Sequence, residues 1–181
     1  LREDVAAILR RAGASALLVT HDQQEALSLA DVVVVMRDGV VEQTGPPAEV
    51  YAAPATRWVA EFLGAADVLP GRVDGDLVVC ELGRFPAGDG VEGEVEVVVR
   101  PESVVLHPTG NGNGNGNGGV PAQVVGRSFY GHDQLVRVEL ASGLQVQSRS
   151  LGHRAWTVGQ EVTLVVDGPV SVLTPSPAPA A

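Results

Sequence analysis

The first third of the chain alternates between helical and strand-like spacing of hydrophobic residues. Residues 1–12 repeat apolar side chains three and four positions apart, as on one helical face, and Gly13 fits the end of that helix. Residues 15–20 form a short apolar run typical of a buried strand, and residues 23–30 return to helical spacing. Residues 32–36 form a continuous Val-rich run, typical of a central strand covered on both faces. This order of helix, strand, helix and strand predicts an α/β layer.

Capping and turn residues mark the boundaries of these elements. Asp22 is placed to cap the helix over 23–30, and Glu25 stands three residues later, as in a capping box. Asp38-Gly39 is a hairpin turn signal, so residues 40–43 are predicted to pair back on the preceding strand. Two short helical pieces are predicted near 46–52 and 55–63, with Trp58, Val59, Phe62 and Leu63 as docking residues.

The pattern changes after Gly64. Short Val-rich segments follow one another, separated by Gly, Asp or Pro, and this spacing predicts a small all-β barrel or sandwich. The predicted strands are 68–73, 77–82, 93–99, 120–126, 134–140, 144–149, 161–166 and 170–173.

Two stretches carry no side chains suited to a core. Residues 110–119, GNGNGNGNGG, are predicted to be a flexible linker or loop; with no Lys, flanking helix or acidic partner, a ligand-binding loop is disfavoured. The tail over 175–181, PSPAPAA, is predicted not to fold. The expected organisation is an α/β unit over 1–64, a β-domain over 65–174 and this tail.

Charge and composition narrow the possible functions. The formal net charge is −10, and the acidic excess is shared between both parts of the chain, so no nucleic-acid partner is expected. All twelve basic residues are Arg, and a phosphate-binding P-loop requires a Lys. Cys80 is the only cysteine, which excludes an intramolecular disulfide and a cysteine metal cluster.

His21 is the candidate for chemistry, because it follows the predicted strand and precedes a helix. A lone histidine is most often a core or capping residue. In open α/β sheets, however, ligands bind beyond the carboxyl ends of strands, and the start of a helix favours anions such as phosphate. An imidazole there could hydrogen-bond a phosphate oxygen and position an attacking water. Position alone leaves both interpretations open.

Longer strings around His21 are more specific. The chain resembles the C-terminal part of ABC-transporter ATP-binding subunits over about residues 1–64, which implies a partial P-loop NTPase sheet with its helices. By this resemblance His21 is the H-loop residue, a catalytic and ATP-binding side chain that contacts the γ-phosphate and the attacking water. Asp22 and Glu25 are assigned capping and helix-surface roles. The resemblance rests on VTHDQQEA (19–26), AD (30–31), VMRDG (35–39), QTGP (43–46), EVY (49–51), Pro54 and FLG (62–64).

The resemblance also implies what the chain does by itself. In that family the Walker A loop, Q-loop, signature motif, Walker B strand and catalytic glutamate precede the H-loop, and none occurs in these 181 residues. Leu1-Arg2-Glu3 resembles the helix after the family's D-loop, so the chain is expected to be the back portion of an ATPase. ATP and Mg²⁺ are expected as cofactors of the full-length protein, and the chain alone is expected to be inactive.

The second half is similar to the OB-like, transport-associated (TOBE) domain of importer ATPases. The matching strings are VVRPE (98–102), SFYGHD (128–133), VEL (138–140), SG (142–143) and GQEV (159–162). Arg100 and Glu102 are interpreted as fixing a strand end. His132 with Asp133 supplies too few ligands for a metal, and no metal site is predicted.

The segments FLGAADVLPG (62–71) and GHDQLV (131–136) look most like ferric-iron importers. Polyamine, sulfate or molybdate, and sugar importers share this architecture. The resemblance implies a second ATP-binding subunit, permease subunits and, indirectly, a periplasmic or lipoprotein substrate-binding protein as partners, at the cytoplasmic face of the cell membrane. The alternatives are a stand-alone module that senses a small oxyanion, a dimerisation module and a catalytically dead remnant.

Overall fold

The structure is a computed structural model that describes residues 8–9, 11–109, 119–152 and 154–174. The chain divides into two compact units, Leu1–Gly64 and Ala65–Ala181. The helix predicted over 1–12 lies mostly outside the described residues, as do the run 110–119 apart from its last glycine and the tail 175–181. At the end of that helix, Ala12 N donates to Ile8 O at 3.0 Å and Gly13 has a φ of 62°.

Among its described residues, the first unit contains the end of the helix that precedes Gly13, three further short helices and one hairpin. The predicted hairpin is confirmed: Arg37 pairs with Val40, and the intervening Asp38 and Gly39 have φ values of 50° and 80°. Two consecutive positive φ angles are those of a tight type I′ turn. The elements are α1 (Gln23–Leu29), β1 (Val33–Arg37), β2 (Val40–Gly45), α2 (Pro47–Ala52) and α3 (Arg57–Leu63).

The core of this unit lies on one face of the hairpin. Its buried side chains come from β1, α2 and α3: Val33, Val35, Val50, Val59 and Leu63. Beside it, the Trp58 ring stacks on Phe62 with centroids 4.8 Å apart, and the Arg37 guanidinium lies 5.2 Å from the Trp58 centroid. Of the four predicted docking residues, Val59 and Leu63 are buried, whereas Phe62 is exposed.

Residues 15–20 do not form the predicted buried strand. The backbone over 14–20 is neither helix nor strand, and Leu17 and Val19 are 91% and 86% exposed. A strand needs a hydrogen-bonded neighbour, and among the described residues β1 pairs only with β2. The prediction for 32–36 was also wrong in part, because Val33 and Val35 are buried but Val34 and Met36 face outward. The partial P-loop NTPase sheet is therefore not shown within residues 1–64.

The second unit is mostly β. Each of the eight strands predicted after Gly64 is present, and the structure adds two. The strands are β3 (Asp67–Asp74), β4 (Leu77–Cys80), β5 (Gly83–Pro86), β6 (Glu94–Val99), β7 (Val104–Pro108), β8 (Val120–Phe129), β9 (Asp133–Leu140), β10 (Gln145–Leu151), β11 (Glu161–Val166) and β12 (Ser171–Leu173), with a 3-10 turn at Pro101–Ser103.

These strands form two antiparallel five-stranded sheets, in the orders β10-β9-β8-β11-β7 and β12-β6-β3-β4-β5. Alternate side chains from both sheets enter one apolar core, for example Leu69 and Val97 from one sheet and Val124 and Leu164 from the other. The two edge strands of the first sheet approach each other, because Ser148 Oγ on β10 donates to the Val104 carbonyl on β7 at 2.6 Å. This contact joins the two edges of the sheet, as in a partly closed barrel.

Asp67 protects the exposed edge of β10. Its carboxylate accepts hydrogen bonds from Gln147 N at 2.7 Å and from Gln147 Nε2 at 3.3 Å. The first bond satisfies a backbone donor that an edge strand would otherwise present to solvent or to another chain. Burial raises the pKa of the Asp67 carboxyl, although both bonds from Gln147 favour its charged form.

Leu164→Ala tests whether the second unit depends on this shared core. Leu164 is fully buried, so its truncation should lower the free energy of unfolding by about 2–5 kcal/mol through lost burial and a residual cavity. Urea unfolding of the whole chain measures this loss. The control is Val158→Ala at a 63% exposed position, where the change should stay within about 0.5 kcal/mol. Equal effects of the two substitutions would contradict the assignment of the core.

Asp67→Asn tests the cost of the buried carboxylate. The folded chain holds the Asp67 proton more tightly than the unfolded chain, so stability falls as pH rises from the ordinary pKa of 3.8 through the raised value. Relative to the variant, the wild type should therefore gain free energy of unfolding as the pH is lowered from about 7 to about 4. Urea unfolding at both pH values checks this, with exposed Asp76→Asn as the control. A pH-independent difference would contradict the prediction.

Candidate functional site

His21 lies in a polar turn that leads into α1. Asp22 Oδ1 accepts from Glu25 N at 3.1 Å, so Asp22 is the helix cap that the sequence predicts. Asp22 N donates to Thr20 Oγ1 at 3.0 Å, and Thr20 Oγ1 donates to Glu25 Oε2 at 2.7 Å. Thr20, Asp22 and Glu25 thus form a closed set of bonds around His21, which we call the capping network. It holds the turn without help from a sheet.

The His21 side chain is exposed to solvent in this turn. Its backbone was predicted to be fixed by a buried strand, but the capping network fixes it instead. The start of α1 was also considered as an anion site. That helix has only seven residues, and the Asp22 carboxylate already occupies its N-terminus. The exposed imidazole is therefore the side chain of this turn considered for a contact with a phosphate.

In the second unit, the loop between β8 and β9 carries the string with His132 and Asp133. The Asp133 side chain is largely buried, and its Oδ2 accepts a hydrogen bond from Arg149 Nε at 2.5 Å. This bond raises the pKa of Arg149, which therefore stays charged. The His132 Nε2 atom lies 3.7 Å from Asp133 Oδ1, a buried oxygen for which the described residues supply no hydrogen-bond partner. Across the described parts of the chain, no group of three or more His, Cys, Asp or Glu side chains is arranged to hold a metal.

Gln134 is a buried polar residue that the sequence reading did not single out. Its side chain is fully buried; Oε1 accepts from Arg127 Nε at 2.7 Å, and Nε2 donates to the Arg154 carbonyl at 2.6 Å. Gln134 joins β8, β9 and the segment after β10. The sequence does contain a signal for this burial. Gln134 lies two residues before Val136 and four before Val138 on β9, so all three side chains point to the same, buried face of the sheet.

Among the described residues, Arg100 is a buried cation, with 7% of its surface exposed. Its Nη1 donates to the Ala65 carbonyl at 3.1 Å, where the second unit begins. Glu102 is exposed on the 3-10 turn. This hydrogen bond fits the structural role expected for Arg100, which is to fix a strand end.

The side chains of the two units therefore supply different kinds of interaction. The described side chains around His21 supply hydrogen bonds and one exposed imidazole. Those of the second unit supply buried bonds that hold strands together. Among the described helices, none has the length and apolar character needed to cross a bilayer.

Comparison with known proteins finds similarities that extend over both parts of the chain. Residues 97–173 match the TOBE domain. The Fe(3+) ions import ATP-binding protein FbpC 1 of Rhodococcus jostii is 40% identical, over 92% of this chain and 48% of that protein. The FbpC protein of Pseudomonas fluorescens is 37% identical, over 95% of this chain and 49% of that protein. The chain therefore spans about half the length of the curated relatives it matches.

Two further similarities are to an import protein named for a different substrate and to a solved structure. The sulfate/thiosulfate import ATP-binding protein CysA 2 of Chromobacterium violaceum is 46% identical, but over only 60% of this chain and 30% of that protein. Among solved structures, the cytoplasmic molybdate-binding protein ModG has a TM-score of 0.50 and 15% identity, over 60% of this chain and 96% of that protein. The latter similarity concerns the fold alone.

The expected resemblance is thus confirmed: residues 97–173 match the TOBE domain, and nearly the whole chain is similar to about half of the ATP-binding subunit of an ABC importer.

Proposed function

We propose that the chain is part of the ATP-hydrolysing, energy-coupling subunit of an ABC importer. The observation that carries this proposal is the 40% identity to an importer ATP-binding protein over 92% of the chain. The match extends across both units, so it includes the capping network and His21 as well as the TOBE domain. A TOBE domain alone would account only for the second unit.

Ferric iron is the proposed cargo. Relatives named as Fe(3+) import proteins from two genera match more than nine tenths of the chain, whereas the sulfate/thiosulfate relative matches 60%. The sulfate relative is more similar within its shorter match, at 46% identity, so the proposal rests on the extent of similarity. The described residues contain no group arranged to hold a metal, so the cargo would be bound by other subunits.

His21 is the proposed catalytic residue, and it would contact the γ-phosphate of ATP. Its exposed imidazole follows Thr20 directly, on a turn held by the capping network. An imidazole on such a turn can donate a hydrogen bond to a phosphate oxygen or orient a water molecule where charge develops in the transition state. The P-loop backbone and its Lys would supply most of the nucleotide affinity, and they lie outside these residues.

The remaining parts of the proposal follow from the class of protein. ATP and Mg²⁺ would be bound by the full-length subunit. Its partners would be a second copy, the permease subunits and, through them, a substrate-binding protein. Such a subunit works at the cytoplasmic face of the cell membrane, attached through protein contacts.

His21→Ala in the full-length subunit should abolish most ATP hydrolysis while leaving ATP binding nearly unchanged. A positioned hydrogen-bonding or proton-transfer group contributes about 10²–10⁴-fold in rate. The capping network does not involve the His21 ring, so the fold should survive. Steady-state hydrolysis and nucleotide titration measure the two effects. His132→Ala, at another exposed histidine, is the matched control and should keep normal turnover. Normal turnover in folded His21→Ala would refute the catalytic assignment.

The cargo can be tested in cells that produce the full-length subunit with or without His21→Ala. Uptake of ferric iron should fall with the loss of ATP hydrolysis, because import depends on it. Uptake of sulfate should be unchanged in the same cells. The opposite pattern, with sulfate uptake lost and iron uptake retained, would overturn the iron assignment and leave the importer ATPase assignment standing.

A further inference from the structure

Three arginines lie over aromatic rings at the end of the second unit where β8 passes into β9 and β10 ends. The pairs, with the distance from guanidinium carbon to ring centroid, are Arg127 with Phe129 at 5.5 Å, Arg149 with Tyr130 at 6.0 Å and Arg154 with Trp156 at 4.7 Å. A guanidinium that already lies against a ring loses less side-chain freedom when it binds an anion. These arginines are therefore partly arranged for binding.

Two consecutive buried residues, Asp133 and Gln134, hold the three arginines in place. Asp133 Oδ2 accepts a hydrogen bond from Arg149 Nε, and Gln134 Oε1 accepts one from Arg127 Nε. Gln134 Nε2 donates to the Arg154 carbonyl. Both side-chain bonds use the arginine Nε, which leaves the terminal Nη groups of Arg127 and Arg149 to other acceptors.

This arrangement of buried polar groups is unfavourable for stability. Gln134 is fully buried, Asp133 is 8% exposed, and the described residues supply no hydrogen-bond partner for Asp133 Oδ1. A buried acceptor without a donor destabilises a fold, and apolar side chains of similar volume would fill these positions without that cost. Groups that conflict with local stability in this way are found mainly at functional sites.

The surface around the arginines is aromatic and apolar. Phe129, Tyr130 and Leu151 are 58%, 56% and 63% exposed, and the Arg149 side chain is half exposed. Aromatic residues and arginine are the types enriched where proteins bind one another. The arginine–aromatic surface, as we call it, consists of Arg127, Phe129, Tyr130, Arg149, Leu151 and Arg154.

The arginine–aromatic surface is also less acidic than the chain as a whole. The chain has twelve arginines against 22 Asp and Glu residues. Among the described carboxylates, those that interact with the three arginines are Asp133, which is hydrogen-bonded to Arg149, and Glu102. Three guanidinium groups beside two carboxylates make this a locally positive part of an acidic protein, and such a part attracts acidic partners.

The apolar side chains decide between a small anion and a peptide. A small oxyanion would satisfy the guanidinium groups but would leave Phe129, Tyr130 and Leu151 exposed to water. A peptide with carboxylates beside an apolar side chain would contact both kinds of group. We propose that the arginine–aromatic surface is a docking site for an acidic segment of a partner protein that carries such an apolar side chain. The inference concerns the second unit and holds whether or not the full-length subunit hydrolyses ATP.

The experiment titrates the complete chain into a fluorescein-labelled hexapeptide, Glu-Glu-Phe-Glu-Glu-Leu, and measures fluorescence anisotropy. Binding should saturate with a Kd below about 1 mM at low salt and should weaken as salt is added. Two matched peptides separate the contributions: Gln-Gln-Phe-Gln-Gln-Leu lacks the charge, and Glu-Glu-Ser-Glu-Glu-Ser lacks the apolar side chains. Each should bind at least about 10-fold more weakly. Absence of saturable binding, or equal binding of the three peptides, would overturn the proposal.

The double variant Arg127→Lys/Arg149→Lys tests the guanidinium groups. Lysine keeps a charged donor for each buried acceptor but lacks the planar fork, so the chain should stay folded and bind the acidic peptide at least about 10-fold more weakly. The matched control is Arg72→Lys/Arg84→Lys, at two exposed arginines of the other sheet, which should bind like the wild type. Circular dichroism and urea unfolding verify the fold of both. Equal binding by the two variants would refute the proposal.

Tyr130→Ser keeps the proposal testable if the lysine variant does not fold. The Tyr130 ring is exposed, and the backbone N–H of this residue still donates to the Asp133 carbonyl after the substitution. Binding of the acidic peptide should weaken by at least about 10-fold, because the ring is a proposed apolar contact. Leu77→Ser, at an exposed apolar position of the other sheet, is the control and should bind normally. Normal binding by Tyr130→Ser would contradict the proposal.

The remaining occupants are inorganic phosphate, a short single-stranded DNA and a second copy of the chain. Phosphate and the DNA should each bind the chain more weakly than the acidic peptide does, and tighter binding by either would overturn the choice of a peptide. Analytical ultracentrifugation should show the same sedimentation for the wild type and for Arg127→Lys/Arg149→Lys. Self-association that is lost in this variant would assign the surface to a second copy and overturn the proposed partner.

Discussion

Each strand in this protein needs cover for its apolar face and partners for its backbone edge, and the second unit supplies the cover internally. Its two sheets share one core, so the inward side chains of both are covered. Two side chains make contacts at the edge of β10. Ser148 ties β10 to the Val104 carbonyl, and Asp67 occupies a backbone N–H of the same strand. The raised pKa of Asp67 shows the cost of that arrangement, since a carboxylate is partly buried to protect an edge.

The first unit meets these needs only in part among its described residues. The core packs on one face of the hairpin, and β1 pairs only with β2. Residues 15–20 have strand composition, but none of the described strands pairs with them. The units therefore differ in the partners of their strands, because β-branched and apolar residues are as frequent in β1 as in the strands of the second unit. Strand composition alone does not produce a strand, because a strand also needs a hydrogen-bonded neighbour.

This difference also explains which expectations from sequence succeeded. The Asp22 cap and the Asp38-Gly39 turn depend on residues a few positions apart, and both are present. The eight strands predicted in the second unit find their partners within that unit. The buried strand predicted at 15–20 failed because a strand needs a hydrogen-bonded neighbour, and none of the described strands pairs with these residues.

Two strands and one buried amide were missed for related reasons. Strand β5 has the sequence GRFP, which lacks the valines that mark the predicted strands and ends at Pro86. Strand β7 follows a Pro-containing turn that obscures its start. Gln134 looks like a surface residue by type, and only its register with Val136 reveals that it faces inward. In each case, contacts with residues distant in the sequence determined the structure, and local propensity did not.

The turn that carries His21 is held by local hydrogen bonds. Its local conformation depends on Thr20, Asp22 and Glu25, which lie within five positions of one another and form their bonds without the sheet. The His21 ring takes part in none of these bonds. Removing the ring should therefore leave the turn folded, and any loss of function would report on the imidazole itself. Preorganisation of the turn and chemistry of the ring are thus separable properties of this site.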